Sequence, residues 1–379
     1  MKKILASIIL LFSLILLPSC GNKLCVKDLK VIHEEEFGGI YLTKTIEDFN
    51  ALGFSFGDSV NITFSNGYKL KDLPYYSGYY VDADEKLLVG YPGYDYIKAA
   101  INYGDDLFTV ANLKETDTAT ITLNKKAKYL DIQTSLDIHY YDEREKYTTD
   151  SEFANYREIK VGNIKEGILY RSASPCDNKH KRASFTDKLM EESNVNFIMN
   201  LADTPEKIQS YIQMDDFNSP YFLSLYQRNM LFLMETSNSD DKVIPLAMNM
   251  NYKSDEFREK IALGFTNMSK TDGAYLIHCL EGKDRTGFVC MVIEALMHAT
   301  YQEMVDDYML TYDNYYGIDI NDKRYEVIKK RNIDSMLMFI SNKTKLDKDM
   351  DYSDAAKTYL LNGGMTIEDI NILVSKLGK

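Results

Sequence analysis

The chain has 379 residues, enough for two domains and a sizeable core. Its 57 acidic residues outnumber 44 basic ones, for a net charge of −13. That balance argues against nucleic acid or an anionic membrane as an electrostatic partner of the whole surface, yet it leaves room for a local basic pocket that takes a phosphate. Five cysteines in so long a chain exclude a dense disulfide scaffold.

Lys2 and Lys3 lead into an apolar run from Ile4 to Leu17. The run is short for a transmembrane helix and has the layout of a secretory signal. It ends in Leu17-Pro18-Ser19-Cys20-Gly21, which resembles a bacterial lipobox. That resemblance implies lipid on Cys20, removal of residues 1–20 as a signal peptide, and a mature chain exported and anchored to a membrane. Pro18 departs from the small residue usual there. An ordinary signal peptide cut nearby, or an uncleaved anchor, is the alternative. Gly21 does not decide between inner and outer membrane. Cys25 falls in the expected tether.

Residues 21–150 are expected to form a small β-rich domain with its linker. Val60, Ile62 and Phe64 alternate with polar residues, as on a half-buried strand. Asn66-Gly67 then predicts a hairpin turn into Tyr68-Lys69-Leu70. Lys86 to Gly90 and Thr118 to Leu123 read as further strands. Stretches around Gly57 and Asn66 resemble the small β-barrel of S-adenosylmethionine hydrolase-like enzymes, without catalytic residues. His33 and His139 lack metal-ligand spacing and read as surface or core histidines. Asp142 to Ser151, rich in charge, is the expected linker.

From residue 152 strands and helices alternate, which predicts a mostly parallel sheet with flanking helices. Gly167 to Ser172 and Asn194 to Leu201 read as strands, and so does Lys242 to Met248. Thr204-Pro205 and Ser254 read as helix starts, the second opening a face of Phe257, Ile261, Phe265 and Met268. The insertion from Asp215 to Asp241 carries an apolar stripe that reads as core packing, with a lid as the alternative.

The chemistry concentrates in His278-Cys279-Leu280-Glu281-Gly282-Lys283-Asp284-Arg285-Thr286-Gly287. An apolar strand, Ala274 to Ile277, precedes it and a buried helix follows. A strand, a tight loop and a helix N-terminus together make an anion site. Cys279 supplies a nucleophile whose thiolate such a site favours. Arg285 supplies a planar fork for two phosphoryl oxygens. Gly282 and Gly287 permit the tight path. Thr286 can offer its hydroxyl to the thiolate, and His278 can order the loop from behind.

The loop resembles the His-Cys-x5-Arg-Thr signature of cysteine-dependent phosphatases. Its Gly-Lys-Asp-Arg-Thr-Gly ending is most similar to the bacterial tyrosine and lipid phosphatase branch. Four more stretches carry the resemblance: Tyr170-Arg171-Ser172; Phe197 to Glu206, with Ala202 where the family usually has Arg; Asp307 to Leu310; and Tyr359 to Leu377. It covers residues from about 155 onward. The fold it implies is a protein-tyrosine-phosphatase-like mostly parallel sheet flanked by helices over residues 151–379. The activity it implies is hydrolysis of phosphomonoesters through a phosphocysteine, without metal or cofactor. The amides from Leu280 through Glu281, Gly282 and Lys283 to Arg285 would hold the substrate with Thr286, and Arg171 could add a cation. Expected substrates are phosphotyrosine, phosphoserine or phosphothreonine, or a phosphoinositide. An inositol polyphosphate phosphatase of the phytase kind and a non-catalytic phosphate-ligand receptor are the alternatives.

A general acid is needed for the leaving oxygen. Asp284 is the first candidate, because Lys-Asp-Arg resembles the branch in which this aspartate is proposed to assist. Asp203 is the runner-up; Asp240 and Asp241 are weaker. Cys176 could act as a resolving thiol or be a plain loop residue, and Cys290 reads as core.

Overall fold

The computed structural model describes residues 24–35, 38–232 and 242–379. Cys20 and its preceding apolar run, with Asp240 and Asp241, lie outside the described residues. The chain divides into two compact units after Asp137.

The first unit is a closed barrel of β1 (Cys25–His33), β2 (Ile40–Leu42), β3 (Ser59–Phe64), β4 (Lys69–Tyr76), β5 (Lys86–Val89), β6 (Ile97–Ile101) and β7 (Thr118–Lys125). Its order is β1-β2-β6-β5-β4-β3-β7, and closure leaves no unpaired edge. Pairing is antiparallel except between β4 and β5. The alternation at Val60, Ile62 and Phe64 turns all three into the core. The turn at Asn66-Gly67 joins β3 to β4 as the dipeptide predicts. Short helices α1 (Ile46–Ala51), α2 (Leu107–Val110) and α3 (Leu130–Leu136) complete the unit. His33 bonds Asp106 at 2.9 Å and stacks on Phe108, a packing role. Cys25 is not in a tether. It opens β1 and is buried.

The second unit begins with α4 (Asp150–Phe153), β8 (Arg157–Glu158), β9 (Leu169–Ser172), α5 (Ala183–Glu192) and β10 (Val195–Asn200). It continues through α6 (Pro205–Ile212), α7 (Pro220–Phe232), β11 (Val243–Pro245), α8 (Asp255–Lys270), β12 (Ala274–His278) and α9 (Asp284–Leu296). The last helices are α10 (Tyr301–Tyr316), α11 (Tyr325–Lys329), α12 (Ser335–Ile340), α13 (Ser353–Asn362) and α14 (Ile367–Leu377). The sheet runs β11-β10-β12-β9-β8, parallel except for β8.

Local chemistry explains these elements. Every residue of β12 is buried, as both faces of a central parallel strand must be. That is why its sequence is an apolar run rather than an alternation. Thr204 caps α6, with Pro205 at its first turn. Ser254 caps α8 by accepting the Phe257 N–H at 3.2 Å, and the Phe257, Ile261, Phe265 and Met268 face is buried. In α7, Phe222, Leu225 and Tyr226 pack with Ile198 and Leu276 of the sheet. Those three side chains of the insertion are core, while Asp215, Asp216, Asn218 and Gln227 are exposed, and residues 233–241 lie outside the described chain.

The stretch from Asp142 to Ser151 does not link the units. It belongs to the second one, where Asp142 pairs with Arg182 at 2.9 Å and Arg144 with Asp150 at 2.6 Å. In the sheet, His278 is in register with Ser172 on one side and Asn200 on the other. Three parallel strands therefore end together, and the segments leaving them gather at the carboxyl edge, where open α/β sheets place their sites.

Candidate active site

Cys279 is the first residue beyond β12 and is 4% exposed. The chain then turns through Gly282 at φ +68°. A Cβ there would fall 2.3 Å from the Ser172 carbonyl oxygen, so the end of β9 leaves space for glycine alone. Helix α9 starts at Asp284, and from Thr286 to Leu296 every residue is buried. At Gly287 a Cβ would fall 2.5 Å from the Tyr308 ring, which lets α10 lie against this first turn.

The loop is braced through its carbonyls. The Ser174 N–H donates to the Leu280 oxygen at 3.0 Å. Tyr315 donates its hydroxyl to the Glu281 oxygen at 2.8 Å. Arg171 Nη2 and Asn155 Nδ2 donate to the Gly282 oxygen at 2.9 and 3.1 Å. All described peptides are trans, so the amide following each carbonyl points the other way. The N–H groups of Glu281, Gly282 and Lys283 thus face away from the braces. Such a run of amides, with a helix N-terminus beside it, favours an anion.

Beneath the loop lies a buried ionic cluster. Arg171, 1% exposed, pairs with Asp307 as well as the Gly282 carbonyl. It is therefore a brace, not a cation in the substrate pocket as expected. Its position at the end of β9 turns it under the loop. Arg157 joins from β8: its Nε lies 2.7 Å from Asp307 Oδ1 and its Nη1 2.7 Å from Asn155 Oδ1. Burial opposes ionisation of Asp307, but Arg157 and Arg171 hold its carboxyl well below the usual range. Burial drives Glu294 the other way, aided by Asp307, so its carboxyl stays protonated. Asn155 and Arg157 went unread in the sequence. Arg157's partner Asp307 lies 150 residues away, and Asn155's partners Gly282 and Thr311 lie 127 and 156 residues away, so no local pattern links them.

His278 is fully buried, with Nδ1 3.2 Å from the Cys279 carbonyl oxygen. Burial, with Arg285 nearby, pushes its imidazole down to about 4, so the ring is neutral and can donate that bond. Thr286 is buried, and its hydroxyl has no protein partner among the described residues. Arg285 donates Nη1 to the Met248 carbonyl at 3.0 Å, and its buried Nε has no protein partner there.

Asp284 and Lys283 sit together. Lys283 Nζ lies 3.1 Å from the Tyr316 hydroxyl, 3.5 Å from Glu281 and 3.8 Å from Asp284. Desolvation opposes its charge, but Asp284, Tyr316 and Glu281 outweigh that and hold the ammonium well above its usual range. The Asp284 side chain is 45% exposed by area, yet the loop crowds it. Desolvation raises its carboxyl, with Glu281 adding to the rise and Lys283 and Arg285 opposing it. A raised carboxyl is what a proton donor needs.

Asp203 is 3% exposed and held on both oxygens, by Asn200 Nδ2 at 3.1 Å and the Tyr211 hydroxyl at 3.2 Å. Cys176 lies nearby, with Asn200 Nδ2 at 3.9 Å, and burial together with Asp203 pushes its thiol far up. Cys290 is a buried core thiol raised in the same way. Among the described residues no group of three or more His, Cys, Asp or Glu could hold a metal ion.

A cysteine at the end of a central parallel strand, a braced amide loop and an arginine at a helix start define a protein-tyrosine-phosphatase-like hydrolase. Residues 151–377 match the model of the tyrosine phosphatase family, and the chain belongs to that family. No curated protein matches. Among solved structures, an uncharacterized conserved protein from Thermotoga maritima is similar, at 23% identity and a TM-score of 0.22. The match covers 26% of this chain and 35% of that one, so the chain spans about a third of that protein's length.

Proposed function

We propose that the protein is an exported, lipid-anchored phosphomonoesterase that works through a phosphocysteine on Cys279. The observation that carries the mechanism is the loop itself: its carbonyls are tied back by Ser174, Tyr315, Arg171 and Asn155, leaving the amides free to face an anion. The Cys279 thiolate attacks phosphorus and forms an S–P bond while the ester P–O bond breaks. Asp284 gives its proton to the departing oxygen. Arg285 and the loop amides hold the equatorial oxygens, most tightly as charge shifts during transfer. Water then attacks phosphorus, the S–P bond breaks, and Asp284 recovers a proton from that water.

Phosphotyrosine is the substrate that the surroundings support best. Tyr140, Tyr315 and Tyr316 cluster beside Glu281 and Lys283, and the Lys283 charge is already shared with Glu281 and Asp284. An inositol polyphosphate would call for uncommitted cations at that rim. Phosphate release from phosphotyrosyl, phosphoseryl and phosphothreonyl peptides, phosphoinositides and inositol hexakisphosphate tests this. Fastest turnover on phosphotyrosyl peptides is expected, and a preference for inositol hexakisphosphate would reverse the assignment. Export and anchoring rest on the residues up to Cys20. Mass spectrometry of the mature N-terminus should find diacylglycerol on Cys20; a soluble mature chain lacking Cys20 would refute the anchor.

A further inference from the structure

The family match begins at residue 151, but the second unit begins at residue 138. The thirteen residues between them form a built contact with the phosphatase loop. Tyr140 donates its hydroxyl to Glu281 Oε1 at 2.8 Å. Its ring packs against Tyr315 and Tyr316, with centroids 5.3 and 5.7 Å away, and the Arg182 guanidinium lies 4.8 Å from its centroid.

The same segment anchors itself on the turn that leads into α5, at His180 and Arg182. Arg182, 2% exposed, donates to Asp142 Oδ1 and to the Tyr141 carbonyl, each at 2.9 Å. His180 Nδ1 lies 3.2 Å from both Asp142 oxygens. Tyr140 is therefore fixed on the side away from Glu281 as well as on the side facing it. A flexible linker would need none of these bonds.

Glu281 in turn reaches Lys283 at 3.5 Å, and Lys283 reaches Asp284 at 3.8 Å. An unbroken chain of polar contacts thus runs from Tyr140 to the carboxyl assigned to proton transfer. We infer that Tyr140 is a positioning residue of the phosphatase: its hydroxyl fixes the Glu281 carboxylate, and so sets how Lys283 is shared between Glu281 and Asp284. This rests on the cysteine-phosphatase reading above, because it assigns Tyr140 a part in that loop's turnover.

The consequences are specific. Without the Tyr140 hydroxyl, Glu281 loses a donor and draws Lys283 toward itself. Asp284 then loses part of a stabilising cation and holds its proton more tightly. Other charged and titratable groups around Asp284 are Arg285 in its own helix and Tyr308, Tyr312 and Tyr316 in α10, none of which touches the Tyr140 hydroxyl. His180 faces Glu281 as well, with Nε2 4.0 Å from Glu281 Oε1 and 3.3 Å from the Tyr140 hydroxyl, and it stays beside Glu281 in the variant.

The test uses full-length Tyr140→Phe, which keeps the ring against Tyr315 and Arg182, together with Glu281→Ala and the double variant. With a phosphotyrosyl peptide, Tyr140→Phe should lower kcat on the order of tenfold with KM within about twofold, and should move the alkaline limb of the kcat–pH profile upward. The double variant should lose no more than Glu281→Ala alone, since both changes break one contact. Unchanged kcat in Tyr140→Phe, or losses that multiply in the double variant, would overturn the inference. Parent turnover that survives Cys279→Ser would instead strike the phosphocysteine reading, so the two failures are distinguishable.

Discussion

Gly282→Ala tests the geometry of the loop most sharply. Alanine at φ +68° incurs the left-handed penalty, about 1–2 kcal/mol. Its Cβ would also lie 2.3 Å from the Ser172 oxygen and 2.8 Å from the Ala173 nitrogen, both backbone atoms at the end of β9. Ordinary contact starts at 3.4 Å, so the loop must retreat by about 1 Å. A shift of that size at a reacting centre costs about 100-fold in rate. The expected result is a kcat on a nitrophenyl phosphate lower by about 100-fold, with a stability loss of about 2–3 kcal/mol by urea unfolding. Gly167→Ala is the control. It has φ +73°, no atom within 4 Å of its Cβ, and lies just before β9, at the strand end away from the loop. It should lose about 1–2 kcal/mol and keep kcat within about twofold. If Gly282→Ala keeps near-parent kcat, or if Gly167→Ala loses as much activity, the steric account of the loop is wrong.

Asp284→Asn should slow tyrosyl and alkyl phosphates far more than a nitrophenyl phosphate, whose leaving group departs unaided. The same dependence in Asp203→Asn, with a uniform effect at Asp284, would move the acid to Asp203. For His278 the folded imidazole lies at about 4 against 6.5 unfolded, so the unfolded chain binds more protons between those values. Its contribution is complete above the upper value and is lost as pH falls toward the lower one. Denaturation from about pH 7.5 to about pH 5 should show about 2 kcal/mol of loss that His278→Asn lacks, and equal losses would refute the buried neutral ring. A fragment of residues 138–379 should be more stable than one of 151–379 by about 1.5–3 kcal/mol, since the shorter piece loses the bonds from Arg182 to Asp142 and the Tyr141 carbonyl. Equal urea midpoints would contradict that.

The strand, loop and helix around Cys279 were legible because they are contiguous: ten residues carry the proposed nucleophile, the proposed fork and the turn glycines in order. The flanking sheet was legible as well, because β10 and β12 are largely apolar and the helices beside them open on start signals such as Thr204-Pro205 and Ser254. What lies beneath the loop was not. Arg171 looked available to substrate until the fold brought Asp307 under it from 136 residues further on. Asp142 to Ser151 has the charge of a linker, and only contacts with His180 and Arg182 make it part of the second unit. Cys25 likewise gives no local sign that it opens a barrel strand; the pairing of β1 with β7 decides that.

The most direct test of the account is to trap the intermediate. The enzyme is mixed with a radiolabelled phosphotyrosyl peptide, quenched in acid within one turnover and digested for mass spectrometry. The account predicts phosphate bound to the sulfur of Cys279, and neither label nor turnover in Cys279→Ser, although that variant still binds the peptide. Steady-state hydrolysis by Cys279→Ser, or label on another residue, would contradict it.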